Sequence, residues 1–161
     1  EKIMRRLDRQ ITDLNEISDI LNKAKIMHMA MVENGFPYVL PLNFGYEFEN
    51  GVLALYFHSA NEGRKINILR GNPLVFCEID MEGALLGQGS NACVYGYAFA
   101  SVMGPGKVSF LESHEEKMHA LDIIMKHQTG RDGFEYKGGF TNVAVCKVTL
   151  ESFSAKANRG E

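Results

Sequence analysis

Residues 56–73 read YFHSANEGRKINILRGNP. An apolar run ends at His58. Small and polar residues follow, Ser59, Ala60, Asn61 and Gly63, and then two adjacent cations, Arg64 and Lys65. Ile66 and Leu69 continue at helical spacing, and Gly71, Asn72 and Pro73 must end that helix. The pattern predicts a strand, a tight polar turn and a short helix with cations at its start. Free backbone N–H groups at a helix start favour an anion, and nearby cations strengthen the site. Such a turn can hold a phosphate. The plain alternative makes Arg64 and Lys65 a solvated helix face. Glu62 fits least well, because a carboxylate there must point outward or cap the helix to avoid repelling the ligand.

His58 is the candidate catalytic residue. It ends an apolar strand beside the turn, and histidine is the residue type best suited to proton transfer at neutral pH, so it suits a proton donor; otherwise it is a hydrogen-bonded structural histidine. His28 lies among methionines in MHMAM and reads as a barrel histidine rather than a metal or haem ligand. His114, His119 and His127 lack the i, i+4 spacing that chelates zinc and read as surface residues. No metal site is predicted. Cys77, Cys93 and Cys146 form no CxxC pair, and two lie in apolar runs. They read as reduced, mostly buried thiols of a cytoplasmic protein.

The elements that must position these residues are mostly strands. A helix over about 13–24 opens with Asp13 and Glu16 at capping-box spacing. Asn34-Gly35 and Asn50-Gly51 separate apolar runs, the strongest short hairpin signal. Between them, alternation from Tyr38 to Phe48 predicts one long strand with one face in the core. Its other face carries Pro41, Asn43 and Gly45, small or rigid residues that leave room for something flat. Pro41 marks an edge or bulge. Strands are expected at 74–79, 93–102, 107–111 and 142–153, with a loop at 81–91, a turn at Gly104–Gly106 and a capped helix from Ser113. The whole chain, 1–161, reads as one domain with an N-terminal arm (1–12) and a C-terminal tail (154–161). The fold class is mainly β: an antiparallel split β-barrel of Greek-key type, six to seven strands, with flanking α-helices.

Several segments in combination carry a family likeness: PYVLPLNFGY (37–46), LYFHSANEGRK (55–65), LRGNP (69–73) and VFCE (75–78). They resemble the flavin-binding split-barrel family of pyridoxamine 5′-phosphate oxidase, with the nitroimidazole-resistance (Nim-type) flavoproteins the most similar subgroup. The likeness spans roughly residues 2–156. It implies a homodimer with two FMN cofactors at the subunit interface. Positions Pro41, Leu42, Asn43 and Phe44 then lie along the isoalloxazine ring. Ser59, Gly63, Arg64 and Lys65 belong to the phosphate turn, His58 contacts the flavin or donates a proton near it, and Ser101 makes a further phosphate or ribityl contact. One departure matters. The Arg-x-His pattern of the true oxidases is missing, since residues 142–161 hold no His and only Arg159. Pyridoxamine phosphate is therefore a poor substrate for this chain.

The expected function is an FMN-dependent oxidoreductase acting on a small, nitroaromatic-type acceptor, with a transient external reductant. The alternative is a non-catalytic FMN- or haem-binding carrier, sensor or store on the same barrel. A net charge of −3 offers no field to recruit nucleic acid or an anionic membrane. The Arg5, Arg6 and Arg9 cluster reads as a solvated or subunit-contacting arm. No stretch resembles a signal peptide or a membrane span.

Overall fold

The computed structural model describes residues 4–160. Its elements run β1 (Gln10–Ile11), α1 (Leu14–Lys23), β2 (Ile26–Glu33), β3 (Phe36–Asn43), β4 (Gly45–Glu49), β5 (Val52–Ala60), α2 (Arg64–Gly71), β6 (Leu74–Leu86), β7 (Gly96–Phe110), α3 (His114–Thr129), β8 (Val143–Leu150) and β9 (Ser154–Asn158). All strand pairings are antiparallel. Both Asn-Gly signals are tight hairpin turns, with φ of 51° at the Asn and 83° at the Gly. Ser113 and Glu116 form the reciprocal capping box that opens α3.

The sheet order is β3-β2-β6-β7-β8-β5-β4. Consecutive strands β3 and β4 thus lie at opposite ends of the sheet, yet only Phe44 separates them. Two Cα–Cα steps span about 7 Å, so the sheet must curl until its ends meet. The result is a barrel joined by chain rather than by a hydrogen-bonded ladder, which is a split barrel. The single strand expected over Tyr38–Phe48 is therefore two strands in one extended run. The alternation holds along the run, but periodicity carries no information on which neighbour each half pairs with.

Two apolar layers hold the curl. Met27, Met29, Phe44, Leu53, Leu55, Phe57, Ile79 and Leu150 fill the interior with the buried face of α1. Ala54, Tyr56 and Val145 pack outside the barrel against Ala120, Leu121 and Ile124 of α3. β5 is buried on both faces, which explains its unbroken apolar run. Gly45 belongs to this contact. A Cβ there would stand 2.7 Å from the Ile124 backbone, so the space read as room for a flat ligand is filled by α3.

Other expectations need correction. Residues 154–158 are not a tail: β9 pairs with β7 and with β1, so the arm at 10–11 also enters the sheet. β6 extends to Leu86 through an irregularity between Glu82 and Leu85, where a loop was expected. Residues 92–94 form a short 3₁₀ turn, and β7 continues through Gly104–Gly106 instead of turning there. Pro105 does not stop it, and Gly104 and Gly106 lie close against Phe153 and Val148. The first three residues of the arm lie outside the described residues.

The split is sealed by polar contacts from α3. The Gln128 side-chain amide donates to Phe44 O (2.8 Å) and Lys25 O (3.0 Å), and Asn43 Nδ2 donates to Lys25 O and Gln128 Oε1, both at 3.1 Å. His127, read as a surface residue, is half-buried. Its Nε2–H donates to Ala24 O (2.8 Å), and its ring lies 4.6 Å from the Phe44 ring. Burial pulls the His127 pKa below its usual 6.5, an effect that outweighs the hydrogen bond to Ala24.

Two outcomes follow. Gly45→Ala should cost about 1–3 kcal/mol by forcing β4 off α3, read as a lower urea midpoint. Because the folded His127 pKa is depressed, its contribution is whole above pH 6.5 and lost as pH falls through the lower folded value. His127→Gln should flatten this part of the stability–pH curve; an unchanged curve would contradict the assignment.

Candidate functional site

β5 delivers the chain to the turn, and side chains alternate along it. Leu53, Leu55 and Phe57 face the interior, while Ala54 and Tyr56 face α3. Ser59 continues the interior row. His58 continues the other row, opposite Val145, and is exposed. The two neighbours therefore point to different faces of the strand. Asn61 Nδ2 donates to Thr141 O at 2.6 Å and pins the turn to the segment before β8. Gly63 ends the turn at φ 119°, a conformation that favours glycine. No side chain caps α2, and Asn67 N–H to Gly63 O is its first internal bond (3.1 Å). The N–H groups of Arg64, Lys65 and Ile66 thus have no intrahelical partner. Glu62 is exposed and does not cap the helix, so of its two permitted arrangements it takes the outward one.

The two cations differ. Arg64 reaches the β2–β3 hairpin. Its guanidinium lies over the Tyr38 ring, 4.2 Å from the centroid, and pairs with Glu33 Oε2 at 2.8–2.9 Å. An oxyanion therefore already sits on Arg64, held in place by a side chain of the same chain. Lys65 turns inward instead. It is half-buried, with Nζ 5.9 Å from the Phe57 ring centroid, and no carboxylate pairs with it among the described residues. Burial lowers its pKa, with a small opposing effect from Cys146. A partly desolvated ammonium without an anion is a poor structural element and a good anion receptor.

Tyr38 links this turn to the expected ring wall on β3. Pro41 and Asn43 are exposed on the outer face, opposite His28 and Ile26. Leu42 packs into the interior, and Phe44 is fully buried. Any contact Phe44 makes with a ligand is limited to backbone, and its carbonyl already accepts from Gln128. β3 is a terminal strand, so one edge carries unpaired backbone donors and acceptors, as Pro41 indicated.

Ser101 is not brought to the turn. It lies on the stretch of β7 that pairs with β6 and β9, opposite Asp80 and Lys156, whereas β7 reaches β8 only through residues 107–110. Glu33 and Tyr38 were not assigned roles from sequence. Only the curled sheet carries their hairpin to the α2 start.

A cleft of about 600 Å³ lies elsewhere, between α1, β4 and α3, lined by Lys25, Tyr46, His119, Asp122 and His127 among others. Beside it, Glu47 accepts from the Tyr56 hydroxyl and from His119 Nε2 (3.1 Å). Burial alone would raise the Glu47 pKa, but these two donors together hold it below the usual carboxylate value. His119 therefore has a partner, although it was read only as a surface residue. The cleft shares no residue with the turn, and its polar groups are mostly occupied by one another, so the turn is the stronger anion site.

Comparison with known proteins bears on the fold that carries this turn. A family model described as pyridoxamine 5′-phosphate oxidase matches residues 13–157. No curated protein matches. Among solved structures, a Bacteroides thetaiotaomicron protein provisionally assigned to 5-nitroimidazole antibiotic resistance is 38% identical, with 92% of this chain and 86% of that one aligned at a TM-score of 0.78. The flavocytochrome Anf3 of Azotobacter vinelandii is 20% identical over 98% and 73% (TM-score 0.76). A FAD- and haem-binding protein of Mycobacterium smegmatis is 15% identical over 94% and 74% (TM-score 0.77). At such identities the last two show the fold alone.

The state of Lys65 has a measurable consequence. Its depressed folded pKa means that the charged form is disfavoured in the fold, and stability rises as pH climbs from that folded value toward 10.5. In ligand-free protein at pH 7, Lys65→Met should therefore be at least as stable as the parent. The difference should shrink toward pH 10.5, by denaturant midpoints at both pH values.

Proposed function

The chain belongs to the pyridoxamine 5′-phosphate oxidase family, and on that footing we propose that it is an FMN-binding oxidoreductase that reduces a small, nitroaromatic-type acceptor. The observation that carries this reading is the contact of Arg64 with Tyr38. It joins a cationic helix start to an edge strand with free backbone groups, which are the two surfaces a phosphate-bearing flat ring system needs.

In this reading Lys65, Arg64 and the α2 N–H groups hold the FMN phosphate, with Ser59 and Gly63 shaping the turn. Phosphate displaces Glu33 from Arg64, while the Tyr38 ring keeps the guanidinium in place. The edge from Pro41 to Phe44 orients the ring system through backbone groups, those of Leu42 and Phe44 included, and the exposed Pro41 and Asn43 surface. His58 stands one residue before the turn and supplies a proton to the acceptor. Bound FMN supplies the electron-transfer chemistry itself.

The same reading includes a homodimer. On the outer face of the sheet, Val39, Ala30 and Phe76 stand in one cross-strand row, with Val39 56%, Phe76 45% and Leu74 62% exposed. Such a sheet face is suited to pairing with a second copy. The buried thiols of Cys77 and Cys146, pushed up to about 12 by burial, suit a reducing cytoplasm. Among the described residues no helix is long and apolar enough to cross a membrane.

The purified protein should show a flavin spectrum, release FMN on heating and sediment at twice its 18.0 kDa chain mass. NADH or NADPH should bleach the flavin anaerobically, and a nitroaromatic should restore it. Lys65→Met should weaken FMN by roughly ten- to a hundredfold, since a charge-assisted hydrogen bond contributes about 1.5–3 kcal/mol. A Soret band instead of flavin absorbance would favour a haem carrier. FMN that nothing reduces would leave a binding protein without turnover.

A further inference from the structure

Away from the turn, three metal-ligating side chains converge on the outer face of the sheet. His28 lies on β2 directly opposite Glu78 of β6, and Asp80 is two residues further along β6, hence on the same face. His28 Nδ1 is 3.3 Å from Glu78 Oε2 and 4.0 Å from Asp80 Oδ1. The three ligand atoms all lie within 4.8 Å of one another. Bonds of about 2.0–2.2 Å in tetrahedral geometry place neighbouring ligand atoms about 3.3–3.6 Å apart. A small closure of this triangle is enough to surround a cation.

An ordinary ion pair does not account for the group. One imidazole faces two carboxylates, and among the described residues neither carboxylate has a Lys or Arg partner. A second observation comes from the neighbouring strand. Ser101 stands directly opposite Asp80, so its side chain is directed to the same face. It is only 5% exposed, and its hydroxyl has no hydrogen-bond partner. A buried hydroxyl left unpaired is costly, and a water bound to a cation at Asp80 would complete it.

We propose that His28, Glu78 and Asp80 form a binding site for a divalent first-row transition cation. One imidazole nitrogen and one oxygen from each carboxylate are the ligands, and the Ser101 hydroxyl is hydrogen-bonded to a cation-bound water. The charge of the cation balances the two carboxylates. An imidazole in the set favours zinc over calcium, magnesium or manganese. The site clamps β2 to β6. Because His28 is also opposite Pro41, it fixes the strand on which the β3 edge rests. This site does not depend on flavin binding.

The test uses tag-free protein freed of metal by a chelator and then dialysed. Zn²⁺ is titrated against a chromophoric competitor, and Co²⁺ is followed by its visible absorption. One cation per chain should bind saturably. His28→Gln and Asp80→Asn should each weaken binding about a hundredfold, and Ser101→Ala about tenfold, with circular dichroism showing all three folded. Absence of saturable binding, or binding that His28→Gln and Asp80→Asn leave unchanged, overturns the proposal. Flavin absorbance in the same samples reports separately on the turn.

Discussion

One residue ties the two ends of the sheet together. Phe44 lies between β3 and β4, the outermost strands, and a single residue can bridge only about 7 Å. That limit forces the sheet to curl. The curl creates an enclosed interior for the Met27, Met29, Leu53, Leu55 and Phe57 side chains. It also leaves a junction at Phe44, where the run passes from the β2 ladder to the β5 ladder and backbone groups lack a strand partner. Burying those groups unpaired would be unfavourable. α1 and α3 converge there, and the Gln128, Asn43 and Lys25 contacts satisfy part of that requirement.

The candidate site is a consequence of the same curl. The β2–β3 hairpin and the start of α2 are about thirty residues apart in sequence, but in space Arg64 rests on Tyr38 and pairs with Glu33. The edge of β3 remains open because β3 pairs only with β2 along its length. The protein thus keeps a backbone edge and a cationic helix start side by side. β5, buried on both faces, fixes the strand that leads to the turn. The barrel core and the candidate site rest on one element.

Electrostatics divide the two cations of the turn by burial. Arg64 is largely exposed, so its pairing with Glu33 contributes little to stability and is easily exchanged for another oxyanion. Lys65 is half-buried without an anionic partner, so its charge is a cost in the ligand-free chain. An anion at this place would relieve the second while replacing the partner of the first. His58 points to the other face of β5. Whatever it contributes must therefore come from the rim outside the barrel rather than from its interior.

Sequence determined what depends on neighbours along the chain. The period-two alternation, the Asn-Gly turns, the Ser113 capping box and the helix start at Arg64 are all local, and all are present. The barrel class and the family could be read because these local signals occur in one combination. Pairing could not be read, since alternation is the same whichever strand lies alongside. Hence Tyr38–Phe48 looked like one strand, 154–158 looked like a tail, and Gly45 looked like space for a ligand when its hydrogen faces α3. His127 and Gln128 gained their roles only through contacts about a hundred residues away in sequence. Tertiary structure alone decided that Arg64 meets Tyr38, that Ser101 stands by Asp80, and that His28 shares a face with two carboxylates. Each depends on which strands the closed curl brings into register, and residue spacing along the chain does not contain that information.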